Sequence, residues 1–169
     1  QMCIRDSLRA FQNDCITRGP PVRGQPIQLS PAEKLEAEEG LEQEERDGYY
    51  SRGQTPYGTW AFMTRPSPTG RKRRIVVDFR RVNRILVNVV YYIRRVEDLK
   101  TDAVGSVWFS GFDGTKGFNL VQNIPFASMV LAVLSESGAR LAHVLQLGPC
   151  NGPFDFQFIT DTLFALTPH

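Results

Sequence analysis

The chain is poor in the residues that build small metal or disulfide scaffolds. Its three cysteines, Cys3, Cys15 and Cys150, form no CxxC pair, and an odd, scattered set argues against a disulfide framework. Its two histidines, His143 and His169, are too few for a His-rich zinc site and argue against a hydrolase triad. No apolar run approaches the roughly 20 residues that cross a bilayer. No N-terminal stretch has the charged head, apolar core and small-residue cleavage site of a secretion signal. An intracellular protein with no membrane partner is expected. Apolar residues are not scarce: 41% of the 169 residues are hydrophobic and 22% are charged. That composition fits one globular domain, or one compact piece of a larger one.

A net charge of +2 conceals a strong asymmetry. Between Glu33 and Asp47, eight acids face two bases; between Arg65 and Arg84, eight bases face the single acid Asp78. The first segment should repel polyphosphates and the second should attract them.

Residues 1–29 carry Gly19, Pro20, Pro21, Gly24 and Pro26 with no sustained period, which predicts a flexible leader. The first residue is Gln1 rather than Met, as expected of part of a longer reading frame. Ser30-Pro31-Ala32-Glu33 has the form of a capping box with proline in the first turn. It predicts a polar helix running to about Asp47-Gly48, with a solvated acidic face and with Gly40 as a local weakness. Residues 59–64 and 73–79 read as two strands of a hairpin whose turn holds Pro66, Pro68 and Gly70 and whose tip carries Arg71 to Arg74. A short helix is predicted at 96–99, and a buried strand at 107–112 that runs straight into Asp113. Residues 129–134 and 141–147 read as a second hairpin around a polar turn at 135–140, and 154–166 as a closing helix. The fold class is α+β.

Three features could carry chemistry. Asp113 ends an apolar strand and precedes Gly114, a place that suits a carboxylate ligand for Mg²⁺ and equally suits a turn cap. The basic hairpin could fork phosphate oxygens through its arginines, or could simply be solvated. Asn151-Gly152-Pro153 precedes an aromatic helix with Gln157 one turn in, a pattern also met in plain helix capping and core packing.

Taken in order, these segments resemble a reverse transcriptase, most closely that of gypsy-type long-terminal-repeat retrotransposons, over roughly residues 30–166. The motif Arg-x-x-Val-Asp-Tyr/Phe-Arg-x-x-Asn is matched by Arg74, Val77, Asp78, Phe79, Arg80 and Asn83. The loop-and-helix motif is matched by Gly148, Asn151, Pro153, Phe156 and Gln157. Gln146 and Leu147 depart from a Pro-Phe pair, and Tyr92 and Arg94 replace two prolines. The resemblance implies the fingers and partial palm of a right-hand polymerase, an incomplete sheet with flanking helices. Its parts would be a leader (1–29), fingers with the basic hairpin (30–95), a palm strand with the first catalytic aspartate (96–120), a second fingers hairpin (121–145), and a palm loop and helix (146–169).

The same resemblance implies roles. Asp113 would be catalytic and would hold Mg²⁺ or Mn²⁺. Arg74, Arg65, Phe118 and Gln157 would bind the nucleotide, with Phe118 excluding a ribose 2′-OH. Asp78, Arg80, Gly148, Asn151 and Pro153 would position template and primer. The implied partners are an RNA or DNA template–primer, deoxynucleoside triphosphates and the remainder of a retroelement polyprotein. The paired aspartates of a Tyr-x-Asp-Asp box should follow the last helix, so this chain by itself is expected not to polymerise. The alternatives at this point are a non-catalytic nucleic-acid-binding remnant and a chain with no stable fold.

Overall fold

Ser30 caps the first long helix as its sequence requires: its hydroxyl accepts from the Glu33 N–H at 3.3 Å while the Glu33 carboxylate accepts from the Ser30 N–H at 3.0 Å. The computed structural model describes residues 12–64, 73–111 and 114–165. In chain order these form β1 (Gln12–Asn13), α1 (Pro31–Arg46), β2 (Tyr50–Arg52), β3 (Thr59–Met63), β4 (Ile75–Val77), α2 (Arg80–Asn83), α3 (Val96–Asp102), a 3₁₀ turn (Gly117–Leu120), β5 (Gln122–Asn123), α4 (Pro125–Val130), β6 (Val133–Ser135), β7 (Gly138–Ala142) and α5 (Gly152–Ala165). Five strands make one open sheet in the order β2-β7-β6-β3-β4. Its neighbours are antiparallel except β3 and β6, which run parallel. The architecture is α+β, an open sheet with flanking helices.

The main core gathers Leu41 of α1, Tyr50, Ala61, Phe79, Val82, Val130, Leu131, Val133 and Ala142 around this sheet. A smaller one joins Val121, Leu145 and Ile159, with Phe118, Phe156 and Leu163 packed against it. The hairpin of β3 and β4 forms as the alternating strand pattern predicts, with Ala61 opposite Val77 and Met63 opposite Ile75. Gly40 is not merely a weak point of α1. A Cβ there would lie 2.4 Å from Ile75 Cδ1, so the missing side chain lets β4 approach the helix.

Four expectations are corrected. The acidic face of α1 is not simply solvated: Glu33 and Glu36 pair with Arg73, and Glu38 and Glu45 with Arg140. The second hairpin turns tightly through Glu136 and Ser137, with Ser135 opposite Gly138. Residues 138–140 therefore belong to a strand, and residues 129–130 to the end of α4. The described part of the leader, 12–29, is tied to the body. Thr17 bridges Leu86, Arg23 bridges Gly58, and Asn13 donates from Nδ2 to Asn123 Oδ1 at 2.8 Å. A backbone with little side-chain periodicity can still be held by main-chain bonds, which composition does not reveal. Finally, 107–111 is not a buried strand. Val107, Trp108 and Phe109 are 82%, 91% and 72% exposed. Apolar side chains qualify a segment for burial, but a strand also needs a partner for its N–H and C=O groups, and among the described residues none pairs with it.

Arg140 is the most consequential of these corrections. Its side chain is 1% exposed; it donates to Ser135 Oγ at 2.6 Å and Glu45 Oε2 at 3.3 Å, and to Glu38. Burial opposes ionisation of Glu38, but hydrogen bonds from Ser137, Arg140 and Ser135 outweigh it and hold its carboxyl below the ordinary range. Replacing Arg140 by Ala should cost about 3 kcal/mol, the scale of breaking a buried ion pair. Urea unfolding of wild type and variant measures it, and a loss below about 1 kcal/mol would class the pair with ordinary surface bridges.

Candidate nucleic-acid interface

Three segments far apart in sequence converge at the N-terminal end of α5. The first is the turn from β4 into α2, with Phe79, together with the end of α2 at Asn83. The second is the loop 148–151 leading into α5, and the third is the 3₁₀ turn with Phe118. Asn83 Nδ2 donates to the Gly148 carbonyl at 3.0 Å, and its Oδ1 accepts from the Cys150 N–H at 3.0 Å. Asn151 returns the clasp: Nδ2 donates to the Val87 carbonyl at 2.8 Å, and Oδ1 accepts from the Val89 N–H at 3.1 Å. Gly148 has φ +119°, and a Cβ on it would lie 2.8 Å from Phe79 Cδ2. The buried Phe79 ring therefore forms the floor on which the loop rests. Phe118 stacks on Phe156 of α5 with ring centroids 4.9 Å apart.

The site residues expected from sequence fall into distinct groups. Asp113 and Arg65 lie outside the described residues. Arg74 is exposed beside β4; its backbone N–H donates to Thr64 Oγ1 at 2.9 Å and its carbonyl accepts from the Thr64 N–H at 2.9 Å. Its side chain, like those of Arg81 and Arg84, has no ion-pair partner among the described residues. Asp78 and Arg80 are joined in a two-pronged pair, both contacts at 2.7 Å. Arg80 holds the Asp78 carboxyl below its ordinary range, against the opposing effect of burial. Pro153 is exposed in the first turn of α5. Asn151 is buried with its amide spent on backbone, so it shapes the loop and presents no free group to a ligand. Gln157 Nε2 donates to Asp161 Oδ1 at 2.7 Å.

The clasp formed by Asn83 was invisible in sequence, because its partner lies 65 residues away. The pairing of Gln157 with Asp161 was readable, since residues four apart share a helix face. Gln146, where the resemblance expects proline, leaves both polar side-chain atoms buried without a partner among the described residues.

Among the described residues no group of three or more His, Cys, Asp or Glu side chains could hold a metal ion. They do not form a metal site by themselves.

The sequence is similar to two curated proteins of Drosophila melanogaster. It is 24% identical over 144 residues to the retrovirus-related Pol polyprotein from transposon 297, covering 83% of this chain and 14% of that protein. It is 26% identical over 131 residues to the one from transposon opus, covering 76% of this chain and 13% of that protein. No family model matches. Among solved structures, the prototype foamy virus protease–reverse transcriptase superposes with a TM-score of 0.78 at 19% identity, over 94% of this chain and 21% of that one. The foamy viral protease–reverse transcriptase in complex with dsDNA superposes at 0.65 and 18% identity, over 90% of this chain and 29% of that one. In sequence the chain is similar to part of these Pol polyproteins, and in fold it is similar to part of a reverse transcriptase. The chain spans about a seventh of the length of the curated relatives it matches.

Two outcomes follow from this loop and the start of α5. Gly148→Ala adds both left-handed strain and the contact with Phe79, and should destabilise by about 1–3 kcal/mol; thermal unfolding reads the loss, and an unchanged midpoint would remove Phe79 as the floor. Asp155, early in α5, is raised to about 6 by burial and then by the charge of Asp14. A carboxyl whose folded pKa lies above its ordinary value of 3.8 favours the fold while protonated. That contribution is complete below pH 3.8 and is lost as pH rises through about 6. Asp155→Asn should flatten this part of the stability–pH curve; an identical slope in the variant would contradict it.

Proposed function

We propose that this chain is the fingers and first part of the palm of a gypsy-type retroelement reverse transcriptase, and that the full protein carries out template-directed DNA synthesis. The observation that carries the reading is the convergence at α5. The motif containing Asp78, Phe79 and Asn83, the turn after Asp113 and the loop from Gly148 to Pro153 are separate in sequence and meet around one helix end. Relatives named for Pol polyproteins and solved structures bound to dsDNA support the same assignment.

In this reading the exposed Arg74, and Arg65, bind the triphosphate of the incoming nucleotide. Phe118, braced on Phe156, excludes a 2′-hydroxyl, and the unpaired arginines Arg81 and Arg84 add to the field that attracts a template–primer. Asp113 supplies one carboxylate for the divalent ions, Mg²⁺ or Mn²⁺, that two-metal phosphoryl transfer uses. One carboxylate is too few for that chemistry, so this chain alone binds nucleic acid and does not polymerise.

The test is binding of a labelled primer–template duplex by the whole chain, followed by fluorescence anisotropy. Affinity should fall at least tenfold, as an order-of-magnitude estimate, between 50 and 200 mM salt, because phosphate contacts release counterions. Arg74→Ala together with Arg81→Ala should shallow that dependence. Salt-independent binding, or none, would contradict the proposal. In the longer polyprotein, Asp113→Asn should abolish primer extension while leaving duplex affinity within about twofold.

A further inference from the structure

Gln157 and the stretch before α3 are joined by a carboxylate that the motif assigns no role. Asp161 lies one helical turn beyond Gln157, where α5 brings the two onto one face. Its Oδ1 accepts from Gln157 Nε2 at 2.7 Å, and its Oδ2 accepts from the Tyr91 hydroxyl at 2.9 Å. The Tyr91 ring is itself set edge-on to Phe158, with centroids 5.7 Å apart. The accepted hydrogen bond makes the Tyr91 hydroxyl harder to ionise, which keeps it a donor to Asp161.

A side-chain amide can present either its oxygen or its NH₂ group, and a free glutamine exchanges the two by rotation. Here the NH₂ group is held by Asp161, so Oε1 is the end left without a hydrogen-bond partner among the described residues. We propose that Asp161, steadied by Tyr91, is a positioning residue that fixes Gln157 as a hydrogen-bond acceptor facing the nucleic acid. The partner it selects is a donor group, a sugar hydroxyl or a base amino group, and not a phosphate oxygen. Preorganisation of this kind raises affinity by removing the ordering cost from the binding step. The inference rests on the assignment of nucleic-acid binding to this chain.

The simpler effect of Asp161 has the opposite sign, which makes the two separable. A carboxylate near a polyanion repels it, so on charge alone both Asp161→Ala and Asp161→Asn would tighten binding. Asn keeps the geometry: its oxygen can still accept from Gln157, and its NH₂ group can donate to the Tyr91 oxygen. Positioning therefore predicts that Asp161→Ala weakens binding of a primer–template duplex about two- to tenfold. Asp161→Asn should stay at wild-type affinity or tighter. Gln157→Ala should weaken binding like Asp161→Ala, with no further loss in the double variant, because the two act as one unit.

The experiment is an anisotropy titration of these variants of the whole chain, with melting midpoints measured alongside. Where Asp161→Ala lowers the melting midpoint, Tyr91→Phe, which removes one hydroxyl, carries the test and should weaken binding in the same direction. Unchanged or tighter binding by Asp161→Ala, or unchanged binding by Tyr91→Phe, overturns the positioning role and leaves the nucleic-acid assignment standing. A wild-type chain that binds no duplex overturns both.

Discussion

A guanidinium sealed between the sheet and its covering helix sets the arrangement of everything else. Arg140 projects from β7, at the middle of the strand order β2-β7-β6, and finds Glu38 and Glu45 on α1. A buried ion pair is not a large source of stability compared with apolar packing of the same volume, but a cation left there without partners is costly. The pairing therefore acts on register: α1 can lie across the sheet only where both carboxylates reach Arg140. Once α1 is placed, Glu33 and Glu36 meet Arg73 next to β4. Glu33 is held down to about 2, first by the Ser30 backbone N–H and then by Arg73, so the capping box and the tie to the hairpin share one carboxylate.

This arrangement also explains the uneven charge of the sequence. The acids of α1 are largely turned inward onto Arg73, Arg140 and, at the margin, Arg52. The cations that remain exposed and unpaired among the described residues, such as Arg74, Arg81 and Arg84, are left to act outward. A net charge near zero thus arises from an internal acid–base pairing plus a residual basic surface. It does not come from evenly mixed charge.

What could be read from sequence was what depends on neighbours in the chain. The capping box of α1, the alternation in β3 and the apolar spacing of α5 are local patterns with local causes, and each produced the expected element. The failures have one physical origin. Residues 138–140 look like a polar turn because Arg140 and Gly138 are polar or permissive, and only carboxylates about 100 positions away in sequence make Arg140 an interior residue. Residues 107–111 look like a buried strand because they are apolar, and only the absence of a partner among the described strands leaves them exposed. For the candidate site the ordered motifs were legible, whereas the amide clasps of Asn83 and Asn151 that join them were not.

Those clasps change how the site depends on the fold. The backbone around Gly148 is fixed by Asn83 on one side and, through Asn151, by the stretch 87–89 on the other. Downstream of Asp113, Phe118 is fixed by stacking on Phe156. Upstream, 107–111 pairs with no described strand. In the proposed reading Asp113 is the catalytic carboxylate, and such a group must be held to within about 0.5 Å of its working geometry, which requires its chain to be restrained on both sides. Of the described stretches on its two sides, the downstream one packs on α5 through Phe118 and the upstream one pairs with no described strand. On that reading, catalysis in the larger protein would use a further surface that covers Val107, Trp108 and Phe109, which are exposed here, and that pairs with their backbone.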